Sequence, residues 1–244
     1  MVNAGMIAKR MDEADPKPAD PAGDQDGGRA GNARRQRRTQ ADRSEETRRR
    51  TMDAAVACLC RDGYNALSTS SVAVEAGLTR GAILYHFPTR TDLILAVADE
   101  VVHRSSARRR QLLMRQPRGQ ARFRSLTDVS WEVQQEPEAT ALLEILIGSR
   151  ADKEMVDRLP TLLNRLEAYQ LDGVLEITHD LGLDDDARIQ AMVTLHQAAL
   201  RGLSIELLIA KDRRRVEAAF DLLKFYKDIL IERLFAERDQ GPSH

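Results

Sequence analysis

Ser68-Thr69-Ser70-Ser71-Val72-Ala73-Val74-Glu75-Ala76-Gly77-Leu78-Thr79-Arg80-Gly81-Ala82-Ile83-Leu84-Tyr85-His86-Phe87-Pro88 is the stretch that decides the fold. Ser68 or Thr69 supplies the hydroxyl cap of a short helix carrying Val72, Ala73 and Ala76, and Gly77 ends that helix because glycine tolerates a left-handed backbone. Thr79 caps another helix only a few residues later, and Pro88 stops it. Two short helices across a tight glycine turn read as a helix-turn-helix.

Upstream, Ser44 has the character of a cap, with Glu45 and Glu46 where the positive end of a helix dipole favours carboxylates. Met52, Ala55, Val56 and Leu59 recur at i, i+3, i+4 and i+7, one buried stripe. Gly63 is a C-terminal stop and Tyr64 packs back on the helix end, so the pattern predicts a helix over about 44–62. Downstream, Thr89-Arg90-Thr91-Asp92 has capping-box spacing and opens a helix through Leu93, Ile94, Ala96, Val97 and Val101 that extends to about Met114.

Beyond Met114 the breaks are Pro117/Gly119, Pro137, a polar interval near Lys153, Pro160, and Gly182 followed by Asp184, Asp185 and Asp186. Only helix-length periodic segments lie between them. The last two, about 185–210 and 213–236, form an antiparallel pair joined by the polar Lys211-Asp212-Arg213-Arg214-Arg215.

Composition agrees with an all-α chain. Of 244 residues 42% are apolar and 31% charged, and five of the 14 glycines and three of the 8 prolines fall before residue 32. So few turn-formers remain that sandwiches, barrels and propellers are excluded. Cys58 and Cys60 lie two apart, on different faces of a helix, and are read as core or filler thiols. No stretch approaches about 18 apolar residues and the N-terminus has no signal-peptide core, so a cytoplasmic protein without a membrane association is expected. The formal net charge of −1 does not by itself predict a nucleic-acid partner.

Residues 1–43 contain no Leu, Phe, Tyr or Trp, too little apolar surface to offset the entropy of ordering, and are expected to form a disordered tail. The end of this tail carries Arg29, Arg34, Arg35, Arg37, Arg38 and Arg43 against Asp42 alone. Two readings stand side by side: a solvated charge run, translated natively or only through a wrong start codon, and an arm that touches DNA phosphates or a minor groove.

The segment from Val72 to Leu93, with Asp53-Ala54-Ala55 and Gly63-Tyr64 upstream, resembles the DNA-binding signature of the tetracycline-repressor (TetR) family of bacterial transcriptional regulators. The resemblance implies a three-helix DNA-binding domain over 44–92 and a larger all-helical domain over 93–240 for effector binding and dimerisation. One departure is Leu84, where the family pattern usually has a tyrosine; its phosphate contact then passes to Tyr85 and His86.

A helix in the major groove reads bases from its N-terminal end, here Thr79, Arg80, Gly81 and Ala82. Arg80 presents two donors suited to guanine O6 and N7, worth about 1–3 kcal/mol of discrimination, and Ala82 offers a methyl to a thymine methyl. Gly81 either lets the backbone approach the duplex or packs between helices. Ser68, Thr69 and Ser70 are placed to hold a phosphate, or simply to cap. The family's phosphate-facing position falls on His86, and its basic backbone-pairing residue on Arg90, whose alternative is a solvated arginine.

The resemblance further implies a homodimer through the last two helices, with Leu195, Ala199, Leu203, Leu207, Leu208, Phe220, Leu223, Tyr226, Leu230 and Leu234 as candidates, some of which must face the monomer core. Half-sites would then lie about one helical turn, roughly 34 Å, apart on a pseudo-palindromic operator. Phe123, Trp131, Leu146, Tyr169, Met192 and His196 are candidates for a pocket taking an apolar or amphipathic small-molecule effector, each with core packing as its alternative. No metal site, cofactor or catalytic group is expected. Asp184 to Asp186 cap a helix start, Glu100 with His103 lacks further ligands, and His179-Asp180 lacks a nucleophile. The competing function is a helical DNA-coating or protein-interaction module without a ligand switch.

Overall fold

The computed structural model describes residues 26–183, 187–209 and 212–240; the side chains of 26–39 and of several residues between 162 and 172, Tyr169 among them, lie outside the described residues, as do Asp184, Asp185 and Asp186. The chain divides into two compact units, Met1–Ser44 and Glu45–His244. The described part of the first is helical from Asp26 onward, where the sequence suggests an unordered tail reaching residue 43. Alanine, arginine and glutamine are strong helix formers, so Ala30, Ala33 and the run from Arg34 to Arg38 sustain a helix without an apolar stripe.

The described residues contain ten α-helices and no strand. Helix α1 (Asp26–Asp62) buries Met52, Ala55, Val56 and Leu59, the expected stripe. It ends at Gly63, whose φ of 76° only glycine adopts cheaply and whose N-H donates to the Leu59 carbonyl at 3.0 Å. Tyr64 then turns back into the core. Helices α2 (Thr69–Ala76) and α3 (Arg80–His86) flank the Gly77 turn, where φ is 60° and the Leu78 N-H closes on the Ala73 carbonyl at 2.9 Å. Thr89 caps α4 (Arg90–Met114), its hydroxyl accepting from the Asp92 N-H at 3.0 Å.

Then follow α5 (Gln120–Gln134), α6 (Pro137–Gly148), the short α7 (Lys153–Val156), α8 (Leu159–His179), α9 (Ala187–Ile209) and α10 (Arg213–Gln240). Pro137 and Pro160 sit in the first turns of α6 and α8, where a missing N-H costs nothing, so these prolines start helices as well as ending the preceding segments.

The apolar core of the first three helices does not close on itself. Met52, Leu59, Val72, Ile83, Leu93 and Val97 share one cluster with Ala141, Ile145, Met155 and Leu159 of α6, α7 and α8. The division expected between residues 92 and 93 therefore falls inside α4 and inside a single core. A second cluster joins α5, α9 and α10 through Phe123, Ile189, Met192 and Ile231, and a third packs Leu200, Phe220 and Leu223 with Trp131. Within the second unit α4 is the shared strut: its first turns belong to the head, and its later turns to the helical body.

Candidate functional site

The reading head is built by its caps. The Ser68 hydroxyl accepts from the Ser71 N-H at 3.0 Å, and the Ser71 hydroxyl accepts from the Ser68 N-H at 2.9 Å, a reciprocal box that starts α2. Thr79 does the same work for α3, accepting from the Ala82 N-H at 3.2 Å. The Arg50 guanidinium donates to the Ala76 carbonyl at 2.5 Å and to the Gly77 carbonyl at 3.3 Å, fastening α1 to the end of α2. Ile83, fully buried, anchors α3 from within.

What this leaves outward is a set of donors. Ser70, Thr79, Arg80, Gly81 and Tyr85 are exposed, Tyr85 to 81%, while Ser68, Ala82 and His86 are half-buried. Arg80 makes no ion pair or hydrogen bond with any described residue, so its guanidinium is free for an external acceptor. The Tyr85 and His86 rings meet edge to face at 5.1 Å, which limits the directions in which each is presented. A Cβ built at Gly81 meets only the Thr79 hydroxyl oxygen, at 4.0 Å. Packing between helices therefore gives no reason for glycine there.

Two of the expected phosphate contacts are placed differently. Thr69 is buried, one residue inside the helix that Ser68 caps, so the hydroxyl standing outward is that of Ser70. Arg90 spends its donors within the protein: Nε to the Leu67 carbonyl at 2.7 Å, one terminal nitrogen to the Tyr64 carbonyl at 2.7 Å, and the other to the Asp152 carboxylate at 3.3 Å. Its guanidinium also lies over the Tyr64 ring, 4.5 Å from the centroid. The second departure has a local cause: the 3-10 turn Tyr64–Ala66 and the residue after it bring carbonyls and an aromatic face to the start of α4, and a cation there satisfies them.

Asp152 completes this junction. It accepts from the Tyr64 hydroxyl at 2.8 Å, and that hydroxyl, followed by the Glu154 N-H and the Arg90 charge, holds its carboxyl below the ordinary range against the opposing effect of burial. Glu144 of α6 accepts from the Tyr64 N-H at 3.3 Å, Thr91 donates to Glu154, and Arg158 reaches Asp92 at 3.3 Å. Gly148 lies so close to the Tyr64 ring that no Cβ fits. The far ends of α6 and α7 thus clasp the head. No short sequence motif announces this clasp, since its members lie about 60 to 90 residues apart in the chain.

On the other side of α4 and α6 is a cavity of about 400 Å³. Val102, Ser105, Arg109 and Leu113 face it from α4, Leu142, Leu143 and Leu146 from α6, and Leu126, Thr127, Ser130 and Val133 from α5; α8 adds Gly173 and Val174. Met192, Val193, His196 and Leu200 come from α9, and Lys227 from α10. The size and the apolar lining with a few polar groups suit a small molecule.

Of the pocket candidates Leu146, Met192 and His196 line this cavity. Phe123 and Trp131 do not: Phe123 is fully buried in the core between α5, α9 and α10, and Trp131 stacks on Phe220 with ring centroids 5.1 Å apart. The side chain of Tyr169 lies outside the described residues. His196 donates from Nδ1 to the Met192 carbonyl at 2.9 Å, which leaves Nε2 an acceptor, sealed from solvent and without a partner; burial lowers its pKa and keeps the ring neutral.

Lys227 and Arg109 were not legible as site residues, although a signal exists for each. Lys227 occupies a position in the stripe Val216, Phe220, Leu223, Ile231 and Leu234, and Arg109 continues Val102 toward Leu112. A cation in an apolar stripe is the signature of a buried charge. Lys227, 3% exposed, donates to the Phe123 carbonyl at 2.6 Å and the Arg124 carbonyl at 3.1 Å, and burial pushes its pKa down to about 7.

The dimer candidates divide in the same way. Leu195 and Tyr226 are exposed, and Ala199, Leu203, Leu207 and Leu230 half-buried. Phe220 and Leu223 are core residues, packed on Leu200, because α10 presents that stripe to α9 and α5. Leu208 is outward as well, and the outward apolar residues on these two helices beyond the candidates are Ile205, Ile209, Leu222, Phe225 and Ile229. Among the described residues no three His, Cys, Asp or Glu side chains gather as metal ligands, and no helix is long and apolar enough to cross a membrane.

Comparison with known proteins agrees with this architecture. Residues 52–97 match the model of "Bacterial regulatory proteins, tetR family". The transcriptional regulator CymR of Pseudomonas putida is 28% identical over 182 residues, 74% of this chain and 89% of CymR. A transcriptional regulator of Saccharomonospora viridis, solved in complex with choline, superposes with a TM-score of 0.60 at 21% identity, covering 75% of this chain and 96% of the other. A TetR regulator of Haloarcula marismortui gives 0.60 at 20%, covering 76% and 98%. With the head, the clasp and the helical body in place, the chain carries over residues 52–97 the segment that bacterial regulators of the TetR family share, and over most of its length it is similar to a transcriptional regulator.

Proposed function

We propose that the protein is a homodimeric repressor that holds a pseudo-palindromic operator through two copies of α3 and leaves it when a small molecule fills the cavity. The observation that carries this reading is the start of α3: an exposed Arg80, unpaired among the described residues, beside an unobstructed Gly81, with Tyr85 standing into solvent. A free cation with two parallel donors at a helix N-terminus matches a guanine edge, and a glycine lets the phosphate backbone come close.

One head covers few base pairs, so two are required for a usable site. The exposed Leu195, Leu208, Phe225, Tyr226 and Ile229 of α9 and α10 offer an apolar face for a second copy. Ligand release follows from the strut. Helices α4 and α6 line the cavity with one part of their length and hold the head with another, at Leu93 and Val97 on α4 and at Glu144 and Gly148 on α6. A ligand that favours one arrangement of these two helices shifts the heads, and a coupling of about 1–3 kcal/mol changes operator affinity from several-fold to about 150-fold.

The test is fluorescence anisotropy with inverted repeats from the DNA flanking the gene, against scrambled duplexes, over a range of salt. Tight binding to one repeat, weak binding to its scramble and a linear fall in log affinity with log salt are expected. Equal affinity for both sequences would favour a DNA-coating protein instead. Light scattering of the wild type should give the mass of two subunits, and Leu208→Asp with Phe225→Asp should give one subunit with the helical content unchanged.

A further inference from the structure

We infer that the cavity takes an amphipathic organic acid, whose carboxylate is received by Arg109 and whose apolar body fills the space between α4, α5, α6 and α9. The inference rests on the regulatory reading of that cavity and names its ligand class.

Arg109 is a cavity-lining guanidinium that makes no hydrogen bond or ion pair with any described residue, and its Nε is closed off from solvent. Its neighbours on α4 behave otherwise. Arg104 is bound to Glu100 and Asp53, at 2.8 and 2.7 Å, and Arg108 to Glu132 and Glu136, both at 2.8 Å. Among the described residues, counter-charges are therefore supplied along this helix and none stands where the helix meets the cavity. Arg109 is half-buried, and a cation whose Nε is closed off without a partner is costly; desolvation pushes its guanidinium below its ordinary range. A planar fork of N-H donors is the natural receiver of a carboxylate, to which it bonds bidentately.

The other ionisable groups of the lining that carry or can carry a charge are basic. Arg201 and Lys227 border the cavity, and among its described lining residues there is no Asp or Glu. The acids nearest Lys227 are already committed, Asp128 to Lys224 at 2.7 Å and Asp228 to Arg124 at 2.6 Å. His196 Nε2 is an acceptor and offers an anion nothing, so Arg109 is the anchoring pole. The leucine, valine and methionine walls favour an apolar body over a small hydrated anion, which would leave them uncovered. A single carboxylate on an apolar body satisfies both demands.

The experiment is calorimetric titration of the full-length protein with two isosteric sets: octanoate, octanamide and octylammonium; and 2-naphthoate, 2-naphthamide and 2-naphthylmethylammonium. In at least one set the acid is expected to bind about tenfold or more tightly than its amide, with the ammonium weakest. Arg109→Met should erase that preference while leaving amide binding unchanged. It should also leave the thermal midpoint of the ligand-free protein equal or higher, because an unpaired, half-buried charge is removed; a structural arginine would lower it. Arg109→Lys keeps the charge without the fork and should retain a reduced preference.

Equal binding of acid and amide, preference for the ammonium, no acid binding up to about millimolar concentration, or a preference that survives Arg109→Met would each overturn the inference. Operator binding is read separately on ligand-free protein. Failure there refutes the regulatory reading and leaves the titration result standing.

Discussion

Arg90→Ala separates two roles for a residue that the family pattern places against the DNA backbone. Within the fold its loss orphans the Leu67 and Tyr64 carbonyls, each now receiving a charged donor at 2.7 Å, and removes the ion pair to Asp152 and the contact with the Tyr64 face. Hydrogen bonds to charged groups contribute about 1.5–3 kcal/mol each when buried. The Arg90 side chain is 34% exposed, so water replaces part of that, and a net loss of about 2–4 kcal/mol is expected. For a unit of this size the thermal midpoint then falls by roughly 5–15 °C. Differential scanning calorimetry measures it, with Arg80→Ala as the control that should stay within about 0.5 kcal/mol of the wild type. Operator titrations on both variants complete the comparison. Arg80→Ala should flatten base preference at one position per half-site. An Arg90→Ala protein as stable as the wild type, with a salt slope reduced by about one unit, would show that Arg90 neutralises a phosphate and would refute the reasoning.

Three further outcomes follow from the geometry. Gly81→Ala meets no obstacle in the protein and should keep or slightly raise the melting midpoint, while operator affinity measured by anisotropy falls; unchanged affinity would remove the reason for a glycine there. Gly148→Ala forces a methyl into the Tyr64 ring and should cost about 1–3 kcal/mol in urea unfolding, with operator binding weakened further as the clasp loosens. For Lys227, whose folded pKa is depressed to about 7 from 10.5, the unfolded chain binds more protons between those values. Stability therefore rises with pH across about 7 to 10, by up to about 1.4 kcal/mol per unit. Below about pH 7 this contribution is absent, and in Lys227→Met the rise attributable to this group disappears from the difference between the two stability profiles.

Cap chemistry and periodicity were sufficient to read the head. The order Gly63, Ser68, Gly77, Thr79, Pro88 and Thr89 places every helix end between residues 62 and 90, because each of these residues acts on backbone groups within four positions of itself. The stripe Met52, Ala55, Val56, Leu59 was legible for the same local reason. Arg90 was not, since the carbonyls that claim it belong to a turn more than twenty residues earlier in the chain. Phe123 and Trp131 were ambiguous by nature: an aromatic on an apolar face serves a core and a cavity wall equally well until the opposing helix is known. Of the six pocket candidates the three found on the wall, Leu146, Met192 and His196, share no sequence feature that Phe123 and Trp131 lack.

What the amino-acid order determined alone is the helical class, the helix-turn-helix and the residues at the start of its second helix, because propensity, capping and one-sided burial are short-range effects. What the tertiary structure decided is which charges are spent and which are held open. Arg90, Arg104 and Arg108 find acceptors across 23 to 51 residues of chain or more, Arg109 finds none among the described residues, and Lys227 is closed inside by α5. A charge is free or committed according to what the fold brings within about 3 Å of it, and that distance is not written in the neighbouring letters.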